Sequence, residues 1–116
     1  MNSVYFNDDD QKVLSGLRET FGEDAQILVC VEELSELTGV LTKYPRYSDK
    51  DKAKESLHDK ALDEVADVLI ILEHATSILG LTQEEVNDRI HKKLARASRW
   101  LENGKTMQVT LDIRRV

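Results

Sequence analysis

The fold is decided by two acidic stretches in apolar surroundings, Glu32-Glu33-Leu34-Ser35-Glu36 and Glu64-Val65-Ala66-Asp67. Apolar residues recur around both stretches at the three- and four-residue spacing of a helix, which predicts two amphipathic helices. Successive residues of an α-helix are rotated by about 100°. Glu33 and Glu36 therefore lie one turn apart on one side of the first helix, as do Glu64 and Asp67 on the second. Each helix is expected to present a pair of carboxylates.

The apolar stripe of each helix indicates which way these carboxylates point. Glu33 falls within about 60° of the centre of the first stripe, whereas Glu64 lies inside the second stripe and Asp67 on its margin. An ionised carboxylate is costly to bury unless it is paired, protonated or bound to a metal. Two converging pairs predict a site for a hard divalent cation, most simply Mg²⁺, with Mn²⁺ as the alternative. The stripes are Ile27, Cys30, Leu34, Leu37 and Leu41, and Leu57, Ala61, Val68, Leu72 and Ala75.

Glycine, proline and capping residues divide the rest of the chain into about four helices. Gly22 and Gly80 mark helix ends, and Pro45 disfavours helix in the residue before it. Thr82 and Glu85 have the spacing of a capping box, which opens the last helix of about twenty residues. The polar, aperiodic residues 45–54 are predicted to be a loop. The first three helices are expected at about 9–21, 23–44 and 54–79.

These elements predict an all-α fold, an antiparallel helical bundle in a single domain. Its core is expected at about 9–103, with a tail at 105–116. The third helix is apolar almost all round between residues 65 and 72, more than three short neighbours can cover. Oligomerisation is therefore expected to complete the bundle. The tail alternates apolar and polar residues, which predicts a short β-like segment in a hairpin-like or intersubunit contact; its apolar members are Met107, Val109, Leu111 and Ile113.

Composition narrows the classes of function. The net charge of −6 argues against binding to a nucleic-acid polymer, which requires a broad excess of basic residues. The chain has a single cysteine, Cys30, so no disulfide can form within it, which fits a reducing cytoplasm. Residues 1–10 do not have the pattern of a signal peptide, and the longest apolar stretch is too short to span a bilayer. A soluble, cytoplasmic protein with no membrane partner is expected.

The order of these motifs resembles a known family. Glu-Glu-x-x-Glu, a spacer, Glu-x-x-Asp and then a basic helix are similar to the MazG-like all-α nucleoside triphosphate pyrophosphohydrolases, over roughly residues 25–101. The resemblance implies Mg²⁺-dependent hydrolysis of an NTP or dNTP between its α and β phosphates, for nucleotide-pool clearing or salvage. It also implies a homodimer or homotetramer, since family members share helices between subunits. The implied metal ligands and catalytic residues are Glu33, Glu36, Glu64 and Asp67, with Glu32 either orienting a nearby group or simply solvated.

The basic helix supplies the predicted phosphate contacts. Its segment His91-x-Lys93-Leu94-x-Arg96 matches the family's Asn-x-Lys-hydrophobic-x-Arg at the lysine, the apolar residue and the arginine. His91 stands where the family has asparagine, and Asn87 is the candidate replacement one turn earlier. The resemblance implies that Lys93 and Arg96 hold the leaving pyrophosphate, although a solvated basic face is the alternative. The candidates for nucleoside contacts are Gln26, Asn87 and Trp100, and packing is the alternative role for Trp100.

Two other classes of function remain open from the sequence. A non-catalytic helical interaction module would keep the apolar stripes but would have no reason to bury four carboxylates. A di-iron carboxylate bundle would use Glu-x-x-His pairs, for which the candidates are Glu55 with His58 and Asp88 with His91. Glu55 and His58 lie about 120° or more from Glu64 around the helix, and an aspartate breaks the second pair. The histidines at 58 and 91 are therefore expected on the surface.

Overall fold

The computed structural model describes residues 5–104 of the chain. These residues form five α-helices and one 3₁₀ turn, and no β-strand occurs among them, which confirms the all-α prediction. The helices are grouped into a first unit that ends at Gly80 and a second unit that begins at Leu81. The predicted β-like tail lies outside the described residues. The elements are α1 (Asp8–Phe21), α2 (Glu23–Lys43), the 3₁₀ turn (Tyr44–Arg46), α3 (Asp49–Lys52), α4 (Glu55–Ile78) and α5 (Gln83–Glu102).

Local capping chemistry sets the helix ends. The backbone N–H of Glu85 donates to Thr82 Oγ1 at 3.1 Å, and the Thr82 N–H donates to Glu85 Oε2 at 3.0 Å. This reciprocal pair satisfies two N–H groups that have no partner within the helix, and it confirms the predicted capping box of α5. Asn7 and Asp10 form a second capping box at the start of α1. Gly22 adopts a φ of 89° between α1 and α2, which only glycine adopts without strain.

The segment predicted as a loop contains regular structure. Pro45 lies in the first turn of the 3₁₀ segment that follows α2 directly. Ser48 then caps the single-turn helix α3, since the Asp51 N–H donates to Ser48 Oγ at 3.2 Å. The Lys54 ammonium lies 3.0 Å from the Asp51 carboxylate. The loop prediction was wrong here because local capping bonds form a helical turn without any apolar periodicity.

The helices α2 and α4 form the most extensive contact of the first unit. The Cys30 thiol donates to the Ile71 carbonyl oxygen at 3.4 Å, while Glu36 lies close to Glu64. A later residue of α2 thus meets an earlier residue of α4, so the two helices run antiparallel. Helix α1 packs on α2, and a hydrogen bond of 2.7 Å from Gln11 Nε2 to Glu73 Oε1 joins it to α4. The buried apolar side chains are Leu14, Cys30, Val40, Val68 and Ile71.

The buried face of α2 differs from the predicted stripe. Leu34 and Leu41 were expected to be buried but are 42% and 60% exposed. The buried line instead passes through Gln26, Glu33 and Val40, which lie seven residues apart and so share one side of the helix. Contact with α4 therefore selects a neighbouring face of α2, which includes Cys30 of the predicted stripe and leaves Glu33 half-buried. On α4, Leu72 is exposed, and the buried residues are Glu64, Val68, Ile71 and His74.

Apolar side chains also remain at the surface of the first unit. On α4, Leu62 is 59% exposed and Val65 is 44% exposed, so three helices of one chain do not cover its apolar circumference. Among the described residues, no helix alone has the length and apolar character needed to cross a membrane. Within the described residues, one pair of consecutive helices, α4 and α5, reaches the required length and apolar composition when the two are counted together across the break between them.

Candidate metal centre

Four carboxylates of the first unit converge between α2 and α4. One oxygen atom from each of the four side chains lies within 4.8 Å of the corresponding oxygens of the other three. Each helix supplies two of them, spaced three residues apart, so that both carboxylates of a pair lie on one side of the helix. The predicted convergence is therefore observed, whereas their role as ligands stays a prediction. The carboxylate cluster consists of Glu33, Glu36, Glu64 and Asp67.

Two oxygens of the cluster are buried without a hydrogen-bond partner. Glu64 is only 8% exposed, and its Oε1 lies 3.7 Å from Lys60 Nζ. Its other oxygen, Oε2, is buried and unpaired, as is Oε2 of Glu33. A buried polar atom without a partner is destabilising, because it loses its hydration and gains nothing in return. A cation among the four carboxylates would supply that partner.

The chemistry of the donors fits a hard divalent cation. The group contains carboxylate oxygens alone, and no histidine or thiol of the described part of the first unit joins it. Oxygen-only sites suit Mg²⁺, Ca²⁺ and Mn²⁺, whereas sites for zinc or copper usually include nitrogen or sulfur. The residues therefore fit the predicted Mg²⁺ and also the alternative Mn²⁺.

Glu33 is a carboxyl of the cluster whose pKa is raised. Burial raises the pKa of the Glu33 carboxyl above its ordinary value, and repulsion from the neighbouring carboxylates raises that pKa further. Both effects disfavour the charged form. The repelling groups are, from the largest contribution to the smallest, Glu36, Asp67, Glu64 and Glu32.

Glu32 lies outside the cluster. Its side chain is exposed, and its backbone carbonyl accepts a hydrogen bond of 2.8 Å from Ser35 Oγ. It contributes the smallest repulsion to Glu33. Of the two roles that the sequence left open for Glu32, this position favours the solvated one.

A groove adjoins the cluster in the first unit. Glu36 and Glu64 line one part of it, and its volume is about 370 Å³. Reasoning from the sequence did not find this feature, although both lysines of its wall lie at helical spacings from the cluster: Lys60 four residues before Glu64, and Lys43 seven residues after Glu36. The remaining residues of this α2–α4 groove are Gly39, Val40, Tyr47 and Leu57.

The other predicted binding residues lie outside the cluster. Gln26 is 9% exposed and lies two turns before Glu33 on the buried face of α2. The candidates on α5 belong to the second unit, where Lys93 and Arg96 are exposed and Trp100 is half-buried. The His91 ring nitrogen Nδ1 lies 2.8 Å from the backbone carbonyl oxygen of Asn87, so His91 is bonded within its own helix. Asn87 borders a shallow, largely acidic depression with Thr82, Glu84, Glu85, Asp88 and His91.

The histidines do not form a di-iron site in the first unit. His58 and His91 are exposed, as predicted, whereas His74 is only 3% exposed. The pKa of His74 is lowered, first by burial and then by the positive charge of Arg18, and its Nε2 is buried without a partner. Burial likewise raises the pKa of the Cys30 thiol, which keeps it in the unreactive form.

Comparison with known proteins does not identify the chain: no family model, no curated protein and no solved structure matches it. The resemblance to the MazG-like family rests on the two acidic motifs and the basic helix.

The strained carboxyl leads to a prediction about stability and pH. Because the pKa of Glu33 is raised in the folded state, the folded protein binds this proton more tightly than the unfolded chain does. The destabilisation is absent below the ordinary glutamate pKa of about 4.3 and develops as pH rises from there through the raised value. We expect Glu33→Gln to raise the melting temperature of the metal-free protein at pH 7 by a few degrees. The variant should also show a smaller decline of that temperature as the pH rises above the ordinary glutamate pKa. Thermal melts in chelator measure both.

The matched control is Asp63→Asn, which removes an exposed carboxylate from α4 outside the cluster. It should leave both the melting temperature and its pH dependence nearly unchanged. A Glu33→Gln protein that melts below the native protein in chelator at pH 7 would contradict the electrostatic account of the cluster.

Proposed function

We propose that this protein is a Mg²⁺-dependent nucleotide pyrophosphohydrolase. The proposed reaction is hydrolysis of a nucleoside triphosphate, NTP or dNTP, between the α and β phosphates to a nucleoside monophosphate and pyrophosphate. It would serve nucleotide-pool clearing or salvage in the cytoplasm. The observation that carries the proposal is the convergence of four carboxylate oxygens from two helices within 4.8 Å. A carboxylate site of this kind can serve several metal-dependent reactions. The order of the acidic motifs and the basic helix, which resembles the MazG-like family, supports pyrophosphohydrolysis.

The carboxylate cluster suits this chemistry because its geometry is held by two packed helices. Glu33, Glu36, Glu64 and Asp67 would hold the ion. When bound, Mg²⁺ neutralises phosphate oxygens and lowers the pKa of a coordinated water. The buried contact between Cys30 and Ile71 is part of the packing that holds the two carboxylate pairs close together. Lys60 holds one oxygen of Glu64 at 3.7 Å, which leaves the other oxygen for the ion.

The resemblance gives further proposed roles to residues of α5. Lys93 and Arg96 carry charged donors that suit a leaving pyrophosphate, and they occupy the positions of the family's basic pattern. Gln26, Asn87 and Trp100 are the proposed contacts to the nucleoside. Glu32 would act on the site only through the electrostatic field around Glu33.

A second candidate is a helical interaction module without catalysis. The observation in its favour is the exposure of large apolar side chains on α2, where Leu28 is 70% exposed and Val31 is 59% exposed. The same exposure supports a homodimer or homotetramer of the enzyme, because an oligomer would bury these side chains. The unpartnered carboxylate oxygens favour the enzyme, since a purely structural interface gains nothing from them.

The first test is release of pyrophosphate from a panel of nucleoside triphosphates with Mg²⁺ and with chelator. Hydrolysis should require the metal, and Glu36→Gln and Glu64→Gln should each lower kcat/KM by at least about 100-fold. Asp63→Asn, the exposed control, should retain native activity. Mg²⁺ should also raise the melting temperature of the native protein, because it binds only the folded site well. Failure to release pyrophosphate from any nucleotide would reject the proposed reaction.

The second test concerns the basic helix. Lys93→Ala and Arg96→Ala should each lower kcat/KM for triphosphates by about 10- to 100-fold, the worth of a charge-assisted hydrogen bond. Binding of Mg²⁺ to the free protein should not change. Lys92→Ala is the control on the same helix, because Lys92 lies outside the Lys93-x-x-Arg96 pattern. Native kinetics in both variants would mean that this helix is only a solvated basic face.

The third test is the molar mass in solution, measured by light scattering. The native protein should have at least twice the 13.2 kDa of one chain at micromolar concentration. Leu28→Glu and Val31→Glu place charges on the exposed apolar face of α2 and should shift the protein toward the single-chain mass. A fully active monomer in the native protein would contradict the oligomer.

A further inference from the structure

A metal site made of four carboxylates does not require an adjoining groove, so the α2–α4 groove needs a separate explanation. It extends from the carboxylate cluster toward the C-terminal end of α2, since Glu36 and Lys43 both line it. On α4 the corresponding residues are Glu64 and Leu57. Seven residues of α-helix span roughly 10 Å, and the volume of about 370 Å³ lies within the range of small-molecule sites. The groove is therefore large enough for a group bound next to the metal.

The polar wall of this groove carries both negative and positive groups. Next to the cluster are the carboxylates of Glu36 and Glu64, with Lys60 Nζ 3.7 Å from Glu64 Oε1. Lys43, seven residues after Glu36, and Tyr47 line the rest of the polar wall. Lys60, Lys43 and Tyr47 offer two ammonium groups and one phenol, and no third carboxylate lines the groove. Ammonium groups only donate hydrogen bonds and a phenol can also donate, so this part of the groove suits an anion.

The walls of the groove strengthen this preference. Val40 is 8% exposed and Leu57 is half-buried, so part of the lining is apolar. Attraction between a lysine and an anion is stronger beside such a surface than in open water, because the effective dielectric is lower. Lys43 forms no ion pair among the described residues, and Lys60 pairs with Glu64 over the long distance of 3.7 Å. Both ammonium groups can thus bind a further anion.

Gly39 keeps the groove open. It lies on α2 between Glu36 and Lys43, and a Cβ atom built at this position has nothing within 4 Å. Glycine inside a helix is destabilising by about 0.5–1 kcal/mol relative to alanine, and no close approach of another chain segment requires it here. The free space in front of Gly39 is part of the groove wall, so a larger side chain would project into that space.

We infer that the α2–α4 groove is the binding site for the non-reacting phosphates of the substrate, with Lys43, Lys60 and Tyr47 as their donors. The inference rests on the proposed function and adds donors in the first unit, beside the carboxylate cluster, for the β and γ phosphates whose other proposed donors are Lys93 and Arg96. Gly39 leaves the space that these phosphates occupy. With the phosphates along the groove, the nucleoside extends from the opposite end of the cluster.

Titration calorimetry with inorganic pyrophosphate and Mg²⁺ tests this assignment without any reaction. Lys43→Ala and Lys60→Ala should each weaken pyrophosphate binding by about tenfold, as expected for the loss of one charge-assisted hydrogen bond. Lys50→Ala is the control, because Lys50 is an exposed lysine of the nearby α3 that does not line the groove. It should bind pyrophosphate as the native protein does.

A variant that fills the groove gives an independent measurement. Gly39→Leu adds a good helix former where there is open space, so its melting temperature should equal or exceed the native value. Pyrophosphate binding should nevertheless be lost, while Gly39→Ala should retain most of it. The substrate could instead bind in the opposite orientation, with its nucleoside in the groove. Titration of a nucleoside monophosphate with Mg²⁺ tests this alternative, because its affinity should not depend on Lys43 if the groove binds the β and γ phosphates.

The outcomes separate this inference from the proposed function. If nucleotides are hydrolysed but the Lys43, Lys60 and Gly39 variants bind pyrophosphate like the Lys50 control, the groove assignment is wrong and the reaction stands. If the lysine variants lose pyrophosphate binding but no nucleotide is hydrolysed, the groove assignment stands and the reaction is wrong. Two results would overturn the groove assignment. In the first, the native protein binds no pyrophosphate in the presence of Mg²⁺. In the second, Lys43→Ala weakens binding of the nucleoside monophosphate alone.

Discussion

Mutual repulsion among four carboxylates is the constraint on which the first unit depends. Glu33, Glu36, Glu64 and Asp67 have oxygens within 4.8 Å of one another, and like charges at such separations repel one another. Packing of α2 on α4 must hold the helices together against this repulsion. The buried side chains of the two helices, together with the Cys30–Ile71 hydrogen bond, provide that packing. Stability is thus reduced at the position where an ion would bind, as is common for functional sites.

The same packing determines which groups reach the site. With Cys30 opposite Ile71, the antiparallel register brings the Glu33–Glu36 turn against the Glu64–Asp67 turn. If α4 were shifted by one residue along α2, different faces of the two helices would be in contact and the two carboxylate pairs would no longer be opposite each other. The same register of α2 against α4 also brings together the residues that line the groove. The positions of both the carboxylates and the lysines therefore depend on one helix–helix contact. The short structured segment after α2 contributes Tyr47 to that wall, which explains why its capping bonds at Ser48 matter to the site.

Most of the secondary structure could be predicted from the sequence because its signals are local. The capping box at Thr82 and the glycines at helix ends act over a few residues, and the predicted bounds of α2 and α4 agree with the structure within one or two residues. The apolar periodicity predicted both helices correctly, although it did not predict the buried face of α2. The segment 45–54 was the exception, since its helical turn depends on Ser48 and Asp51 rather than on periodicity. The acidic pairs could be predicted as well, because a spacing of three residues defines one side of a helix in any fold.

What the sequence by itself determined is therefore the all-α class, the helices and the two carboxylate pairs. Only the tertiary structure decided that α2 buries the line through Gln26, Glu33 and Val40 rather than the one through Leu34, because apolar residues surround much of that helix and several faces could be buried. It also decided that the pairs meet and that Lys43 and Lys60 border the same groove. These residues lie far apart in the chain, and their proximity depends on the register of α4 against α2. Helical periodicity specifies a face of one helix but carries no information about the position of a second helix along it.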